Sequence, residues 1–175
     1  MYTKIDTDDC IRRISEFLLR KATQEKFPHY HAKALIEALI IVMKNNRFRF
    51  GDLLVKQLIG IAMGMAPAPT IANLYVAIHE MQCILKYLTS FIFFLHRFID
   101  DGFGMWLHDA NPQVDAQNWV TFKAAVNNGG LQWTFSPRSK KVVFLDLTVE
   151  IVNQKIETAI YQKPLALFLY IPPQS

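Results

Sequence analysis

The chain has 175 residues, a net charge of +4, and hydrophobic residues at 51% of its positions. This length allows a buried core without disulfide bonds, and the composition excludes a disordered tail, a collagen-like repeat and an acidic linker. The small positive charge permits a polyanionic partner but does not require one.

Helical and strand patterns alternate irregularly along the chain. Apolar residues recur at helical spacing or at every second position, and Gly, Asn and Pro mark the breaks. In chain order, the predicted elements are helices over about 7 to 22 and about 30 to 44, a hairpin around Gly51-Asp52, a loop over 60–69, a helix starting at Thr70, a hairpin over 91–107, a helix from Asn111 to about 127, and strands over 131–135, 142–151 and 155–163. This order predicts an α+β fold in which an antiparallel sheet is backed by helices.

Some local patterns give sharper predictions. Thr7 is predicted to cap the first helix, because Asp8 and Asp9 in its first turn suit the positive end of the helix dipole. The strand over 142–151 is predicted to have a polar face and an apolar face, the latter made of Leu145, Leu147, Val149 and Ile151. Three tryptophans are predicted to lie in the core: Trp106, Trp119 and Trp133.

The chain lacks the signals of secretion and membrane insertion. No apolar run reaches the roughly 18 residues that span a membrane. The N-terminal sequence MYTKIDTDDC has acidic residues where a signal peptide needs an apolar core. The two cysteines, Cys10 and Cys83, have the spacing of neither a disulfide framework nor a zinc site. We therefore expect an intracellular protein, nuclear or cytoplasmic, that is not secreted and has no membrane partner.

The segment Phe98-Ile99-Asp100-Asp101 is the most informative in the sequence, because the predicted hairpin places it at the tip. Two adjacent carboxylates repel each other unless a cation neutralises them, and Mg²⁺ favours oxygen ligands. The alternative is an ordinary turn, since Gly102 follows and Asp-Gly is a favoured hairpin dipeptide. Arg97 and the other basic residues near the hairpin are assigned no role.

A loop rich in Gly and Ala leads into the third helix, in the sequence QLIGIAMGMAPAPTIANLY over 57–75. Glycines such as Gly60 and Gly64 let a backbone approach a planar or phosphate ligand closely. The alternative is a loop that ends in prolines, followed by a helix whose apolar stripe belongs to the core.

These segments together resemble the palm domain of a reverse transcriptase, and the subtype to which they are most similar is the Penelope-like retroelement enzyme. The blocks occur in the family's order across essentially all of 1–175. They are the tail of motif A at 1–6, motif B at 57–75, motif C with FIDD at 91–107, the motif D and E strands at 131–163, including FLDL at 144–147, and a block leading into the thumb from Thr158 to Ser175. Phe98 stands where the family usually has Tyr.

The resemblance implies RNA-directed DNA synthesis by nucleotidyl transfer with two Mg²⁺ or Mn²⁺ ions, on an RNA or DNA template-primer and dNTPs. Asp100 and Asp101 would be the catalytic metal ligands. The residues implied to contact the incoming nucleotide are Tyr2, Gly60, Ile61, Met63, Gly64 and Phe98. Lys140 or Lys141 is the candidate general acid that protonates pyrophosphate.

Basic residues cluster in two places that suit phosphate contacts, which give affinity that depends on salt but not on sequence. The first cluster, near the first hairpin, contains Lys44, Arg47, Arg49 and Lys56. The second is a basic turn that contains Arg138, Lys140 and Lys141. The alternative for both is a solvated surface.

Parts of the family pattern are missing. The third metal-binding carboxylate of the family precedes the position of Tyr2 and would fall before Met1. We expect incomplete fingers and no thumb, so that the missing parts of the same polypeptide would complete the enzyme and this chain alone would be inactive. Two other hypotheses stay open: a degenerate, non-catalytic retroelement remnant, and an α+β interaction domain in which Asp-Asp-Gly is only a turn.

Overall fold

Helices and strands follow one another in a computed structural model that describes residues 2–85, 90–128 and 130–163. In these ranges the helices are α1 Thr7–Leu19, α2 Lys21–Lys26, α3 Ala32–Lys44, α4 Ala68–His79 and α5 Pro112–Asn127. The strands are β1 Arg47–Phe50, β2 Leu53–Lys56, β3 Ile92–Phe98, β4 Asp101–Trp106, β5 Lys141–Phe144, β6 Leu147–Val152 and β7 Lys155–Ile160. No described helix is both long and apolar enough to cross a membrane. Met1 and most of the expected thumb block, 164–175, lie outside the described residues.

The described strands form three separate antiparallel sheets, with strand orders β1-β2, β3-β4 and β5-β6-β7. The α+β class is therefore confirmed, whereas the expected sheet is divided into three smaller ones. The segment 131–135, predicted as a strand, is not one. Instead, Leu131 is buried in the helical core, and the backbone N–H of Trp133 donates a hydrogen bond to the side chain of Asn127 at 2.7 Å.

The N-terminal segment differs from its prediction in two respects. Asp6, not Thr7, caps α1, because its carboxylate accepts a hydrogen bond from the backbone N–H of Asp9 at 2.8 Å. The helix ends earlier than expected, since Arg20 has extended backbone and separates α1 from α2. Residues Tyr2–Lys4, in the segment that resembles the tail of motif A, form a single 3₁₀ turn.

The main core lies where α1, α3 and α4 pack together. Its most deeply buried side chains include Ile5, Cys10, Met43, Ile61, Ala72, Val76 and Ile78. Tyr75 joins α4 to α1, because its buried hydroxyl donates a hydrogen bond to Asp9 at 2.7 Å. Burial alone would raise the pKa of Asp9, but the hydrogen bonds from Tyr75 and Arg12 and the charges of Arg13 and Arg12 lower it below its usual value.

A second core joins the β3-β4 hairpin to α5 through aromatic rings. The ring of Trp106 lies 5.0 Å from that of Trp119 and 4.8 Å from that of Phe91, measured between centroids. The indole N–H of Trp106 also donates to Asp115 at 2.8 Å, which with the nearby Arg138 lowers the pKa of that carboxyl to about 2. The base of the hairpin is thus fixed to a helix.

The strand predicted over 142–151 is divided by a tight turn. β5 and β6 pair with each other on either side of Leu145 and Asp146, and Leu145 has a φ of 56°. The predicted apolar face is largely exposed, since Leu145, Leu147 and Ile151 are each at least 38% exposed. The alternation correctly predicts β-structure, but it does not predict the turn at Leu145-Asp146, and its apolar residues do not enter a described core.

Candidate functional site

The two adjacent aspartates lie at the tip of the β3-β4 hairpin. Phe98 pairs with Asp101, so the turn between the strands consists of Ile99 and Asp100 alone. Asp101 is the first residue of β4, and Gly102 is a strand residue opposite Arg97. The favoured turn dipeptide Asp-Gly is therefore not what forms this turn.

The turn requires an unusual backbone at Ile99, whose φ is 54°. Two-residue hairpin turns favour residues that tolerate positive φ, such as Gly, Asn and Asp. A β-branched residue in this region is a clear outlier. Such conformations persist where the surrounding structure enforces them, and they cluster at functional sites.

Both carboxylates at the tip are exposed. Neither Asp100 nor Asp101 forms a side-chain hydrogen bond or an ion pair with a described residue. Mg²⁺ binds proteins through one or two carboxylates, keeps several waters and takes its remaining ligands from substrate phosphates. The pair offers carboxylate oxygens of the kind that such an ion takes.

The pair does not form a closed metal cage. Within 2–85, 90–128 and 130–163, no group of three or more His, Cys, Asp or Glu side chains is arranged to hold a metal ion. Burial raises the pKa of Cys10 to about 12, which leaves its thiol protonated and unsuited to metal binding.

Arg97, to which the sequence assigned no role, connects the turn to α4. Its guanidinium donates to the Ile99 carbonyl at 2.7 Å, to the Asn73 side chain at 2.9 Å and to Glu80 at 2.6 Å. Asn73 lies on α4, in the segment that resembles motif B, and Glu80 begins a π-helical segment, Glu80–Ile84, after that helix. Asn73 and Glu80 lie 24 and 17 residues before Arg97, so no local sequence signal could have identified their contacts with it.

The segments that resemble motifs A and B meet at Gly60. A Cβ atom added to Gly60 would lie 2.8 Å from the carbonyl oxygen of Tyr2 and 2.9 Å from the Cα of Thr3, and its φ is 91°. The next residue, Ile61, donates its backbone N–H to the Tyr2 carbonyl at 3.0 Å. Tyr2, Gly60 and Ile61, which were all predicted to contact nucleotide, are thus brought together.

The other predicted nucleotide contacts are placed differently. The side chain of Ile61 is 1% exposed and packs in the core, so it has no open surface toward a ligand. Met63 is 71% exposed, and Gly64 has a φ of 91° with open space around it. Phe98 lies beside the turn and is 56% exposed.

The candidate general acids lie on the third sheet. Lys141 faces Glu150 across β5 and β6 and pairs with it at 2.9 Å, whereas Lys140 forms no side-chain hydrogen bond or ion pair with a described residue. The ring of Phe144 on β5 stacks on that of Phe103 on β4 at 5.2 Å, which connects this sheet to the hairpin. No described contact joins either lysine to the aspartates.

The basic residues of the first cluster differ in their partners. Lys44 pairs with Asp8 at 3.0 Å, and Arg49 contacts Asp52 at 3.6 Å. Arg47 and Lys56 instead face each other as a cross-strand pair. Two like charges opposite each other destabilise a hairpin unless an anion lies between them.

In the second basic cluster, Arg138 is held inside the fold by an ion pair and two aromatic rings. Arg138 pairs with Asp115 at 2.8 Å and lies between two tryptophan rings, with its guanidinium carbon 5.2 Å from the centroid of Trp106 and 5.1 Å from that of Trp119. It is therefore a structural residue. Because Lys141 also pairs with Glu150, Lys140 is the member of this cluster that has no ion pair with a described residue.

The arrangement can present two carboxylates to a divalent cation beside a helix that follows a Gly-rich loop. No family model, curated protein or solved structure matches this chain.

Proposed function

We propose that this chain contains a reverse-transcriptase palm whose Asp100 and Asp101 bind Mg²⁺ or Mn²⁺ for nucleotidyl transfer from dNTPs. In two-metal chemistry one ion activates the attacking hydroxyl and the other stabilises the leaving oxygen. The role of the two aspartates is to hold the ions. The template-primer would be RNA or DNA, as the resemblance implies.

The strained turn is the observation on which the proposal depends. A left-handed conformation costs an L-residue roughly 1–2 kcal/mol. Ile99 adopts it, with a φ of 54°, and the resulting two-residue turn places both carboxylates at an exposed tip. Asn or Gly would adopt this conformation at lower cost, and strained residues cluster at functional sites. Leu145 has the same strained φ in the two-residue β5-β6 turn, so the feature that supports a function at Ile99 is the strain together with two adjacent exposed carboxylates.

Two further contacts support the same proposal. The close approach of Gly60 to the Tyr2 backbone brings together two residues that the resemblance places at the incoming nucleotide. The like-charged pair of Arg47 and Lys56 suits a phosphate backbone, which would neutralise both cations. These residues lie on separate elements from the aspartates, so they support nucleotide and nucleic-acid binding independently.

Titration of Mn²⁺ tests the metal site directly. The amount of free Mn²⁺, measured from its EPR signal, should fall with the wild-type chain but not with the double variant Asp100→Asn/Asp101→Asn. Asp52→Asn is the matched control, since Asp52 also lies at a hairpin turn and is exposed. Identical titrations of the wild type and the double variant would refute the proposed site.

Primer extension tests the activity. The described residues supply a carboxylate pair and no third ligand, so we expect the 175-residue chain to extend an RNA-templated primer very weakly or not at all. Robust extension by this chain would contradict the proposed need for a further carboxylate. Metal binding without extension would fit both a part of an active enzyme and a remnant that no longer catalyses.

A non-catalytic interaction domain is the second candidate. One face of the β1-β2 hairpin is made of apolar residues that are all exposed: Phe48, Phe50, Leu53 and Val55. A two-stranded hairpin is marginally stable by itself, and a contiguous exposed apolar face is typical of an interaction site. A chain that binds neither Mn²⁺ nor nucleic acid would favour this candidate.

A further inference from the structure

Arg97 is a nearly buried cation with an unusually complete set of acceptors. Its side chain is 11% exposed, and that of Glu80 is 21% exposed. The guanidinium donates twice to Glu80, at 2.6 and 3.2 Å, and twice to Asn73, at 2.9 Å to the side chain and 3.4 Å to the carbonyl. Its fifth contact is the Ile99 carbonyl, at 2.7 Å.

These contacts join the turn between β3 and β4 to α4 and to the segment that continues that helix. Asn73 belongs to α4, Glu80 to the π-helical segment after it, and Ile99 to the turn between β3 and β4. The carbonyl of Ile99 belongs to the peptide unit that leads into Asp100. A donor on this carbonyl therefore fixes the peptide plane from which the first of the two carboxylates extends.

The charge of Arg97 is neutralised locally. The paired Glu80 carboxylate cancels it, so Arg97 adds little net positive charge beside the aspartates. A buried ion pair of this kind contributes little net stability, because desolvation offsets the attraction, but it can specify one geometry. The planar guanidinium fork suits this task, because its donors point in fixed directions at several acceptors.

We propose that Arg97 is a positioning residue, which with Asn73 and Glu80 fixes the strained Ile99 turn against α4 so that Asp100 and Asp101 are preorganised for a metal ion. The inference rests on the proposed metal site. Lysine cannot replace Arg97 in this role, since a single ammonium on a flexible stem cannot satisfy acceptors on three elements at once.

The variant Arg97→Lys tests the proposal, with Arg138→Lys as the matched control. Arg138 is also a partly buried arginine paired with a carboxylate, but it lies at the base of the hairpin beside Trp106. Arg97→Lys should weaken Mn²⁺ binding by about tenfold or more, the usual cost of losing an outer-shell partner. Arg138→Lys should lower the melting temperature comparably and leave Mn²⁺ binding unchanged.

Two further measurements separate this inference from the metal site itself. In the metal-free protein, Arg97→Lys should speed amide hydrogen exchange at 99–102, and Arg138→Lys should not. If Arg97→Lys fails to fold, Glu80→Gln is the second test, because it preserves the shape of the side chain. Glu80→Gln should also speed amide hydrogen exchange at 99–102. If the wild type binds no Mn²⁺, the metal site is refuted, and the inference falls with it whatever the exchange rates show.

If the wild type binds Mn²⁺ and Arg97→Lys binds it equally well, the positioning role is refuted while the metal site survives. Unchanged exchange at 99–102 in both Arg97→Lys and Glu80→Gln would also overturn it. A loss of Mn²⁺ affinity together with faster exchange at the tip, absent from the Arg138→Lys control, is the result that supports it.

Discussion

Replacing Gly60 by Ala tests whether the contact between the Tyr2 turn and the Gly-rich loop is as close as the structure indicates. Gly60 and Gly64 have the same φ of 91°, but a Cβ at Gly60 would approach two backbone atoms within 3 Å, whereas a Cβ at Gly64 would meet nothing within 4 Å. The pair Gly60→Ala and Gly64→Ala therefore separates the steric cost from the conformational cost.

The expected magnitudes follow from these two costs. A positive φ destabilises the folded state of an Ala variant by roughly 1–2 kcal/mol. Ala also lowers the entropy of the unfolded chain relative to Gly, which stabilises the folded state by about 0.4–1 kcal/mol. Gly64→Ala should therefore lower the free energy of unfolding by up to about 1.6 kcal/mol. Gly60→Ala should lose about 1–3 kcal/mol more, the typical cost of overpacking, because the atoms it meets are backbone and cannot rotate away.

Urea unfolding of both variants, followed by circular dichroism, measures the difference. For a chain of this length, each kcal/mol corresponds to a melting-temperature change of about 2–4 °C, so thermal unfolding provides an independent check. Equal destabilisation by the two substitutions would refute the reasoning, since it would mean that the Tyr2 turn does not pack against Gly60.

Two further predictions concern charge. Tyr75→Phe should cost about 1.5 kcal/mol at neutral pH. Because the folded-state pKa of Asp9 is lowered, the contribution is full above its ordinary value of 3.8 and is lost as pH falls through the lower folded value, so urea unfolding of the two proteins should converge in acid. Arg47→Gln/Lys56→Gln should reduce the salt dependence of single-stranded nucleic-acid binding by about 1–2 in log-log slope, measured by fluorescence anisotropy, and the exposed Lys21→Gln should not.

Local signals in the sequence were sufficient where the structure is decided locally. The first hairpin turns at Gly51-Asp52, as predicted, because Gly51 supplies the positive φ of 60°. Asn111 caps α5 through a side-chain hydrogen bond to Gln113, followed by Pro112 at a position where proline is favoured. Residues with one strong conformational preference are predictable from sequence alone.

The same reasoning fails where a residue acts against its preference. Leu145 has a φ of 56° in the turn between β5 and β6, a conformation that its side chain does not favour. Since apolar alternation continues on both sides of Leu145-Asp146, the period of two gives no sign of a turn. Similarly, Leu131 and Trp133 have strand-like composition but serve the helical core and a contact with Asn127, so tertiary packing overrides their β-propensity.

At the hairpin tip, the hairpin follows from local sequence signals, whereas Ile99 adopts a conformation against its preference. The strand register decides whether Asp100 lies in the turn or in a strand and which residue lies opposite Arg97. If Asp101-Gly102 formed the turn, Asp100 would be a strand residue and Arg97 would lie opposite Trp106, which is at the base of the hairpin. With Ile99-Asp100 as the turn, Arg97 lies opposite Gly102, which has no side chain to compete for space. Arg97 can then reach Asn73, Glu80 and the Ile99 carbonyl together. The Ile99-Asp100 turn therefore places Arg97 where it can reach its acceptors, and Arg97 in turn holds that turn through the Ile99 carbonyl. The sequence FIDD contains the turn residues but not the contacts of Arg97.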